Sequence, residues 1–337
     1  MNKIALLAAT ALLLTACGGN KTEEGTTAKE KPVTLQIGYA NNPGEPFDLG
    51  VREWERLIEE RSNGSIQVEV FPSSQLGSKN DLIDQMLAGD SVITLADGAF
   101  YADRGVEDFG ITFGPYLFDE WDEAWNLTES PWWEDQSALL EEKGLKIIAS
   151  NWVYGERHIL SKRPIRTVED LRGLKIRVPN NTIQVKGFEV LDATPTPMPL
   201  GDVYTALQQG TIDALENPLS VLYNGKYHEV AKYLTLDGHV KNFTTFVAGA
   251  EFFNNLTEEQ QAIVMETGRE AGVFNNDLAA KAEEEILAKY REEGVEIIEV
   301  DTKGFAEKAK KFYSLPEFTS IWSENLYETV KKASQSK

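Results

Sequence analysis

The chain has 337 residues, which is more than one hydrophobic core usually organises, so two domains are expected. Its 33 lysines and arginines stand against 54 aspartates and glutamates. The resulting formal charge of -21 makes nucleic acid and anionic lipid headgroups poor partners for the general surface. Because Cys17 is the only cysteine, the folded part can have neither a disulfide nor a thiolate metal site.

The N-terminal residues predict a lipoprotein signal followed by a tether. Lys3 precedes an apolar run over residues 4–14, which is too short to span a bilayer and suits the core of a signal peptide. The small residues before Cys17 resemble a bacterial lipobox. Residues 1–17 are therefore interpreted as a lipoprotein signal peptide with lipidation at Cys17, and the polar residues 18–31 as a flexible tether. The alternative is an ordinary cleaved signal with a free thiol.

Strand-like segments alternate with helical patterns through the rest of the chain. The predicted strands cover residues 34–38, 66–70, 92–95, 146–149 and 175–178. Such alternation indicates α/β layers around mainly parallel sheets. Thr257 and Gln260 form a capping box that starts one helix, and a second helix about 30 Å long is predicted over residues 273–293.

The strongest chemical signal lies in residues 157–218. Alternation along the strand at 175–178 turns Arg177 away from the apolar face, and a following proline ends the strand. Arg177 thus lies near a strand end, where open α/β sheets bind ligands. Asn217 follows an apolar run and is held extended by Pro218, so its amide can point into the same crevice. A guanidinium suits a carboxylate ligand because its planar fork gives two parallel hydrogen bonds.

Several ordered segments resemble the substrate-binding subunits of tripartite ATP-independent periplasmic (TRAP) transporters, from about Thr34 to beyond Val300. The matching segments cover residues 71–77, 161–165, 170–175, 195–199, 204–208 and 216–218. This resemblance implies an α/β, two-lobed, periplasmic-binding-protein-like fold with a ligand cleft and a long helix that braces both lobes. The chain departs from the family at Ala214 and Leu215, where Gly-Gln is usual, and at Leu200, where an aromatic residue is frequent.

The resemblance also implies how the chain divides. Residues 32–154 and 243–282 would form lobe I, residues 155–242 and 283–310 lobe II, and residues 311–337 C-terminal helices. The crossings between lobes would act as a hinge, and the lobes would close on a ligand held in the cleft.

In that family, the strand arginine that corresponds to Arg177 holds the carboxylate of the ligand, with help from Arg157 and Asn217. A structural ion pair is the alternative for both arginines, and capping of a turn is the alternative for Asn217. Asp97 matches a position that often contacts ligand hydroxyls or amines, with a helix N-cap as the alternative.

Other residues match positions that line the cleft in the family. Trp152 lies where the chain crosses between lobes, so its ring could stack on a sugar, although core packing is the commoner use of a large aromatic side chain. The other candidates have solvated loop positions, or for Phe100 the core, as their alternative. These candidates are Asn41, Asn42, Lys79, Phe100 and Asn242.

The predicted function is capture of a small organic acid, such as a sugar acid, and its delivery to the membrane subunits of a TRAP permease. C4-dicarboxylates and keto acids are alternative ligands. The protein would be a lipid-anchored monomer outside the cytoplasmic membrane, on the periplasmic or extracellular face, with no cofactor, metal or nucleic acid. Zinc-binding histidine pairs, phosphate loops and hydrolase elbows are absent from the sequence. The alternatives are a ligand sensor that docks on a signalling receptor and a secreted enzyme that acts on acidic sugars.

The lipobox predicts the outcome of changing Cys17→Ser. The variant should bind ligand normally but lose labelling by a radioactive fatty acid and retention in the membrane fraction, because serine has no thiol to acylate. Both properties are measured by labelling cells and separating membranes from soluble protein. A Cys17→Ser chain that is still labelled and retained would contradict the lipobox interpretation.

Overall fold

The computed structural model describes residues 32–335, so the predicted lipidation of Cys17 and the tether lie outside the described residues. Within residues 32–335, nine strands form one mixed sheet. They are β1 Val33–Gly38, β2 Ile66–Phe71, β3 Val92–Ala96, β4 Leu145–Ser161, β5 Lys175–Val178, β6 Thr194–Pro197, β7 Ala214–Pro218, β8 Tyr233–Gly249 and β9 Glu296–Glu299.

The helices lie between and around these strands. They are α1 Pro46–Arg61, α2 Lys79–Leu87, α3 Gly98–Ala102, α4 Trp121–Thr128, α5 Pro131–Glu142, α6 Thr182–Glu189, α7 Val203–Gln209, α8 Leu219–Asn224, α9 Ala250–Asn254, α10 Glu258–Glu292, α11 Thr302–Ala309, α12 Pro316–Thr319 and α13 Leu326–Gln335. Short 3₁₀ helices include Glu107–Phe113 and Val168–Leu171.

The sheet has two halves joined by two long strands. Its order is β2-β1-β3-β8-β4-β7-β5-β6, with β9 paired to β8. The strands β1, β2 and β3 are parallel to one another, as are β5, β6 and β7. Between these groups β4 and β8, of 17 residues each, run antiparallel. The part built on β1–β3 is lobe I and the part built on β5–β7 is lobe II, which confirms the predicted two-lobed α/β fold.

Each lobe has its own apolar core. In lobe I, α1 packs Val51, Trp54 and Ile58 against the sheet, all of them fully buried. In lobe II, Ile176 and Val178 of β5 are fully buried with Leu171 and Leu174. The C-terminal segment packs against lobe I, where Phe312, Phe318 and Val330 join a large cluster. The predicted lobe boundaries fall inside β4 and β8, which continue through residues 154–155 and 242–243.

The long helix α10 is one element of 35 residues, so the predicted start of a separate helix at residue 273 is wrong. The predicted capping box is present, since the Thr257 side chain accepts from the Gln260 amide. At 1.5 Å per residue, α10 is about 52 Å long. It contacts Trp54 in lobe I through the Val264 carbonyl and contributes Ile286 and Tyr290 to the core of lobe II. This confirms the predicted brace across both lobes.

Gly272 lies where α10 crosses strand β4. A side chain at Gly272 would begin 2.7 Å from Oδ1 of Asn151, which belongs to β4. Glycine weakens a helix interior by about 1 kcal/mol. Here its missing side chain lets the crossing strand lie directly against the helix. None of the helices within residues 32–335 is long and apolar enough to cross a membrane.

Two glycines in helices should respond oppositely to substitution by alanine. A Cβ at Gly50 in α1 would lie 2.8 Å from Asn275 Cβ and 2.8 Å from the Trp152 ring. Both neighbours are fully buried, so Gly50→Ala should destabilise the fold by about 1–3 kcal/mol through overpacking. Gly187 in α6 has no heavy atom within 4 Å of its missing Cβ. Gly187→Ala should therefore be neutral or stabilising, by up to about 1 kcal/mol.

Urea unfolding of both variants beside the wild type measures the two effects. Equal effects of the two substitutions would contradict the close approach of α1, α10 and Trp152.

Candidate functional site

A cleft of about 700 Å³ lies between the lobes. Residues from both lobes and from the two connecting strands line it. The predicted residues in its wall are Asn41, Lys79, Asp97, Phe100, Arg157, Arg177, Asn217 and Asn242. The structure thus brings together side chains that are up to about 200 residues apart in the sequence.

Arg177 is a buried cation that has no acidic partner within residues 32–335. Its side chain is 3% exposed, and its Nε and Nη2 atoms donate to the Met198 carbonyl at 2.9 and 2.8 Å. Among the described residues, no carboxylate forms an ion pair with it. Burial lowers the pKa of Arg177 to about 10. Because a buried charge is costly unless it is paired, the guanidinium leaves a strong local preference for an anion in the cleft.

Arg157 has a different environment, although it lines the same cleft. Its Nε and Nη2 atoms bind the two carboxylate oxygens of Glu216 at 2.5 and 2.8 Å, which is a bidentate ion pair. Its Nη1 donates to Asn242 Oδ1 at 2.9 Å, and its guanidinium lies 5.4 Å from the centroid of the Phe113 ring. The structural ion pair that the sequence left open is therefore formed by Arg157 and not by Arg177.

A buried polar network supports this ion pair, and the sequence analysis missed it. His239 Nε2 lies 3.2 Å from Glu216 Oε2, and His239 Nδ1 lies 2.9 Å from Asp237 Oδ2. Although burial opposes it, the two carboxylates raise the pKa of His239 to about 9. Burial likewise opposes ionisation of Glu216, yet Arg157 and His239 hold the pKa of that carboxyl well below its ordinary value. The network thus holds the Glu216 oxygens, and through them the Arg157 fork, in one orientation.

A second group of charges forms the lobe I wall. Lys79 Nζ lies 3.9 Å from Asp97 Oδ2 and 4.5 Å from the centroid of the Phe100 ring. Burial is the main cause that lowers the pKa of Lys79 to about 8, and burial raises the pKa of Asp97. Asp97 also accepts from the Ala99 amide at 3.1 Å as the N-cap of α3. Asp97 is thus both the N-cap of α3 and a residue of the cleft wall, because one of its oxygens caps the helix while the carboxylate lines the cleft.

Amide and hydroxyl groups complete the lining. Asn217, at the end of β7, is 3% exposed and its side chain makes no hydrogen bond to the described residues. Tyr154 reaches the cleft with its hydroxyl, which receives a bond from Asn41 at 3.0 Å. Further polar residues line the cleft that the sequence alone does not single out. They are Ser74, Ser78, Asn80, Asn180, Gln184 and Thr244. Of these six residues, only Ser74 lies in a segment, residues 71–77, that resembles the TRAP substrate-binding subunits.

Two predicted residues lie away from the cleft. Trp152 is fully buried, packs against Phe47, Trp54 and Phe246, and donates from Nε1 to the Gly268 carbonyl at 2.9 Å. Its ring is part of the lobe I core, so the predicted stacking on a ligand is corrected to core packing.

Asn42 is the other such residue. It accepts from Ser73, and its Nδ2 lies 3.5 Å from the Asn224 carbonyl. It therefore does not belong to the residues that line the cleft. Its side chain makes a polar contact between the two lobes, and its contact with a ligand stays a prediction.

Two lobes that enclose a cleft with buried cations define a solute-binding protein. Residues 37–319 match the model of the bacterial extracellular solute-binding protein family 7, and the chain belongs to that family.

Several proteins similar to this chain bind sugar acids. The 2,3-diketo-L-gulonate-binding periplasmic protein of Escherichia coli is 31% identical over 276 residues, covering 81% of this chain and 84% of that protein. A TRAP periplasmic solute-binding protein from Ochrobacterium anthropi, with bound L-fuconate, is 44% identical with a TM-score of 0.87, covering 90% of this chain and 100% of that chain. A TRAP periplasmic solute-binding protein from Actinobacillus succinogenes, with bound L-galactonate, is 38% identical with a TM-score of 0.86. The match covers 90% of this chain and 99% of that chain.

The polar network predicts how stability depends on pH. Because the folded state raises the pKa of His239 from 6.5 to about 9, the charged imidazole stabilises the fold fully below pH 6.5. This contribution is lost as the pH rises through about 9. His239→Gln should therefore show a smaller loss of unfolding free energy than the wild type between pH 6.5 and 9, measured by urea unfolding.

His158→Gln provides the matched control. Burial lowers the pKa of His158, so this histidine is already neutral in that window. If His239→Gln and the wild type lose stability equally across the window, His239 is not charged in the folded protein.

Proposed function

We propose that this chain captures a sugar acid with a single carboxylate outside the cytoplasmic membrane and delivers it to a TRAP permease. The observation that supports this proposal most is Arg177, a buried guanidinium at the end of a strand whose hydrogen-bonded acceptor is a neutral carbonyl. An incoming carboxylate would supply the missing negative charge. In the same proposal, Cys17 anchors the protein to the membrane as a lipid-modified monomer.

The charges around the cleft favour one carboxylate over two. Three cations, Lys79, Arg157 and Arg177, line the cleft together with one acid, Asp97. A second acid, Glu216, does not line the cleft but pairs with Arg157. With both acids ionised, the net charge of the five groups is 3 − 2 = +1. With a pKa of about 8, Lys79 is mainly charged at neutral pH. A monocarboxylate would neutralise the site, whereas a C4-dicarboxylate would leave an excess negative charge in a buried cleft.

The rest of the lining suits a hydroxylated chain. Asp97, Asn217 and Tyr154 offer acceptors and donors at positions around the two arginines. Similar proteins are described with L-fuconate and L-galactonate, and as binding 2,3-diketo-L-gulonate, all of which are six-carbon sugar acids. These relatives support a sugar acid over a short keto acid. Binding requires no chemical step on the ligand, so the site residues act by holding it.

Replacing the proposed carboxylate-binding arginine gives the direct test. Arg177→Ala should weaken binding of L-galactonate or L-fuconate by about 2–5 kcal/mol, because the ligand carboxylate would be buried without a partner. Arg177→Lys should also bind poorly, since an ammonium cannot supply a planar fork. Isothermal titration calorimetry measures both effects on folded protein.

Two comparisons make the result specific. Arg291→Ala, on the exposed face of α10, should bind like the wild type. Asp97→Asn should weaken binding less than Arg177→Ala, because it removes an acceptor without leaving a ligand charge unpaired. Unchanged affinity of a folded Arg177→Ala variant would show that Arg177 does not hold the carboxylate, and preferential binding of succinate would refute the single-carboxylate proposal.

A further inference from the structure

The turn that begins α6 contacts lobe I across the mouth of the cleft. This helix follows β5 and so belongs to lobe II, whereas the elements that its first residues touch follow β2 and β3. Asn180 lines the cleft beside Asn80, so the contact lies at the rim of the ligand site. Three residues of the turn, Asn180, Thr182 and Ile183, make the contact, and we name them the α6 latch.

Two polar contacts of the latch cross between the lobes. Asn80 Nδ2 donates to the Asn180 carbonyl at 3.3 Å, and the Thr182 amide donates to Asp103 Oδ2 at 3.1 Å. Thr182 is the first residue of α6, where the backbone amide has no acceptor within the helix. A carboxylate at this end also interacts favourably with the helix dipole. Asp103 thus satisfies part of a lobe II helix from lobe I.

An apolar contact lies directly beside these bonds. The Ile183 side chain is 2% exposed and joins the apolar cluster of lobe I instead of a lobe II cluster. Its Cδ1 atom would lie 2.6 Å from a Cβ at Gly110, and Ala102 Cβ would lie 3.0 Å from the same position. Glycine at position 110 lets Ile183 approach this closely, and any larger residue would require the Ile183 side chain to shift.

We infer that the α6 latch holds the lobes closed independently of any ligand contact and sets how long a ligand stays in the cleft. The inference rests on the proposed function, in which the lobes close around a captured acid. Asp103 and Ile183 do not line the cleft, so neither is placed to touch the ligand. Their contacts bridge the two lobes and are lost when the lobes separate.

This geometry gives the latch a direct effect on affinity. Contacts made only in the closed state lower its free energy relative to the open state, and a ligand that binds the closed state benefits by the same amount. Loss of the latch should therefore raise the rate of ligand dissociation, because dissociation requires opening. Association should change little, since the ligand enters the open form.

Two variants, one polar and one apolar, test the latch by stopped-flow tryptophan fluorescence with L-galactonate. Asp103→Asn and Ile183→Ala should each raise the dissociation rate and Kd by about three- to tenfold, with the association rate changed by less than about twofold. Gly110→Ala should act in the same direction from the opposite wall. Glu60→Gln is the control, because this exposed lobe I carboxylate pairs with Arg56 of the same helix, α1, at 2.5 Å.

A measurement without ligand tests the α6 latch independently of the proposed ligand. Spin labels at Asp90→Cys and Glu169→Cys, one per lobe, report the distance between lobes in a Cys17→Ser chain, which has no other cysteine. Latch variants should shift the distance distribution towards longer values than Glu60→Gln does.

If the latch variants lengthen the distances but L-galactonate fails to bind the wild type, the latch stands and the proposed ligand is wrong. If both the distances and the dissociation rates match those of the Glu60→Gln control, the latch is refuted.

Discussion

The pairing of β4 with β8 is the constraint on which the rest of the molecule depends. These two strands are the elements of the sheet that belong to both lobes. They carry Arg157 and Asn242 into the cleft, while Trp152 and Phe246 on the same strands are fully buried in the core of lobe I. Their register shifts at four places between residues 147 and 159. Such irregular pairing allows a sheet to bend while it remains continuous, which a hinge between two lobes requires.

The two arginines of the cleft are chemically alike but have different surroundings. Arg157 is oriented by Glu216, which is in turn held by His239 and Asp237. In this network each of the two cations, Arg157 and His239, contacts a carboxylate. Arg177 is positioned by one carbonyl, and no carboxylate within residues 32–335 forms an ion pair with it. Arg157, fixed by Glu216, thus shapes the site, whereas Arg177 attracts the anionic ligand. Removing Arg157 should therefore disturb the shape of the site, and removing Arg177 should weaken the attraction.

Much of the fold and part of the site could be predicted from the sequence because their signals are local. Strand alternation and a following proline placed Arg177 at a strand end, and a capping box located the start of α10. The polar network could not be predicted, because Glu216, Asp237 and His239 meet only through the antiparallel pairing of distant strands. Trp152 was assigned to the ligand because its position along β4 was visible, whereas the side chains that bury it come from α1 and β8. The predicted boundary at residue 273 is wrong because α10 continues through Gly272, where the missing side chain makes room for Asn151 of β4.

The raised pKa of His239 has a consequence for the conditions in which the protein works. A protein outside the cytoplasmic membrane experiences the acidity of the surrounding medium, which varies more than that of the cell interior. In mildly acidic to neutral medium, His239 stays protonated and Glu216 stays ionised. The groups that orient Arg157 therefore keep their charges over this pH range. The cation closest to neutrality is Lys79, with a pKa of about 8. The arginine side of the cleft is thus insensitive to acidification, and alkaline medium is the condition that would remove a positive charge from the ligand site.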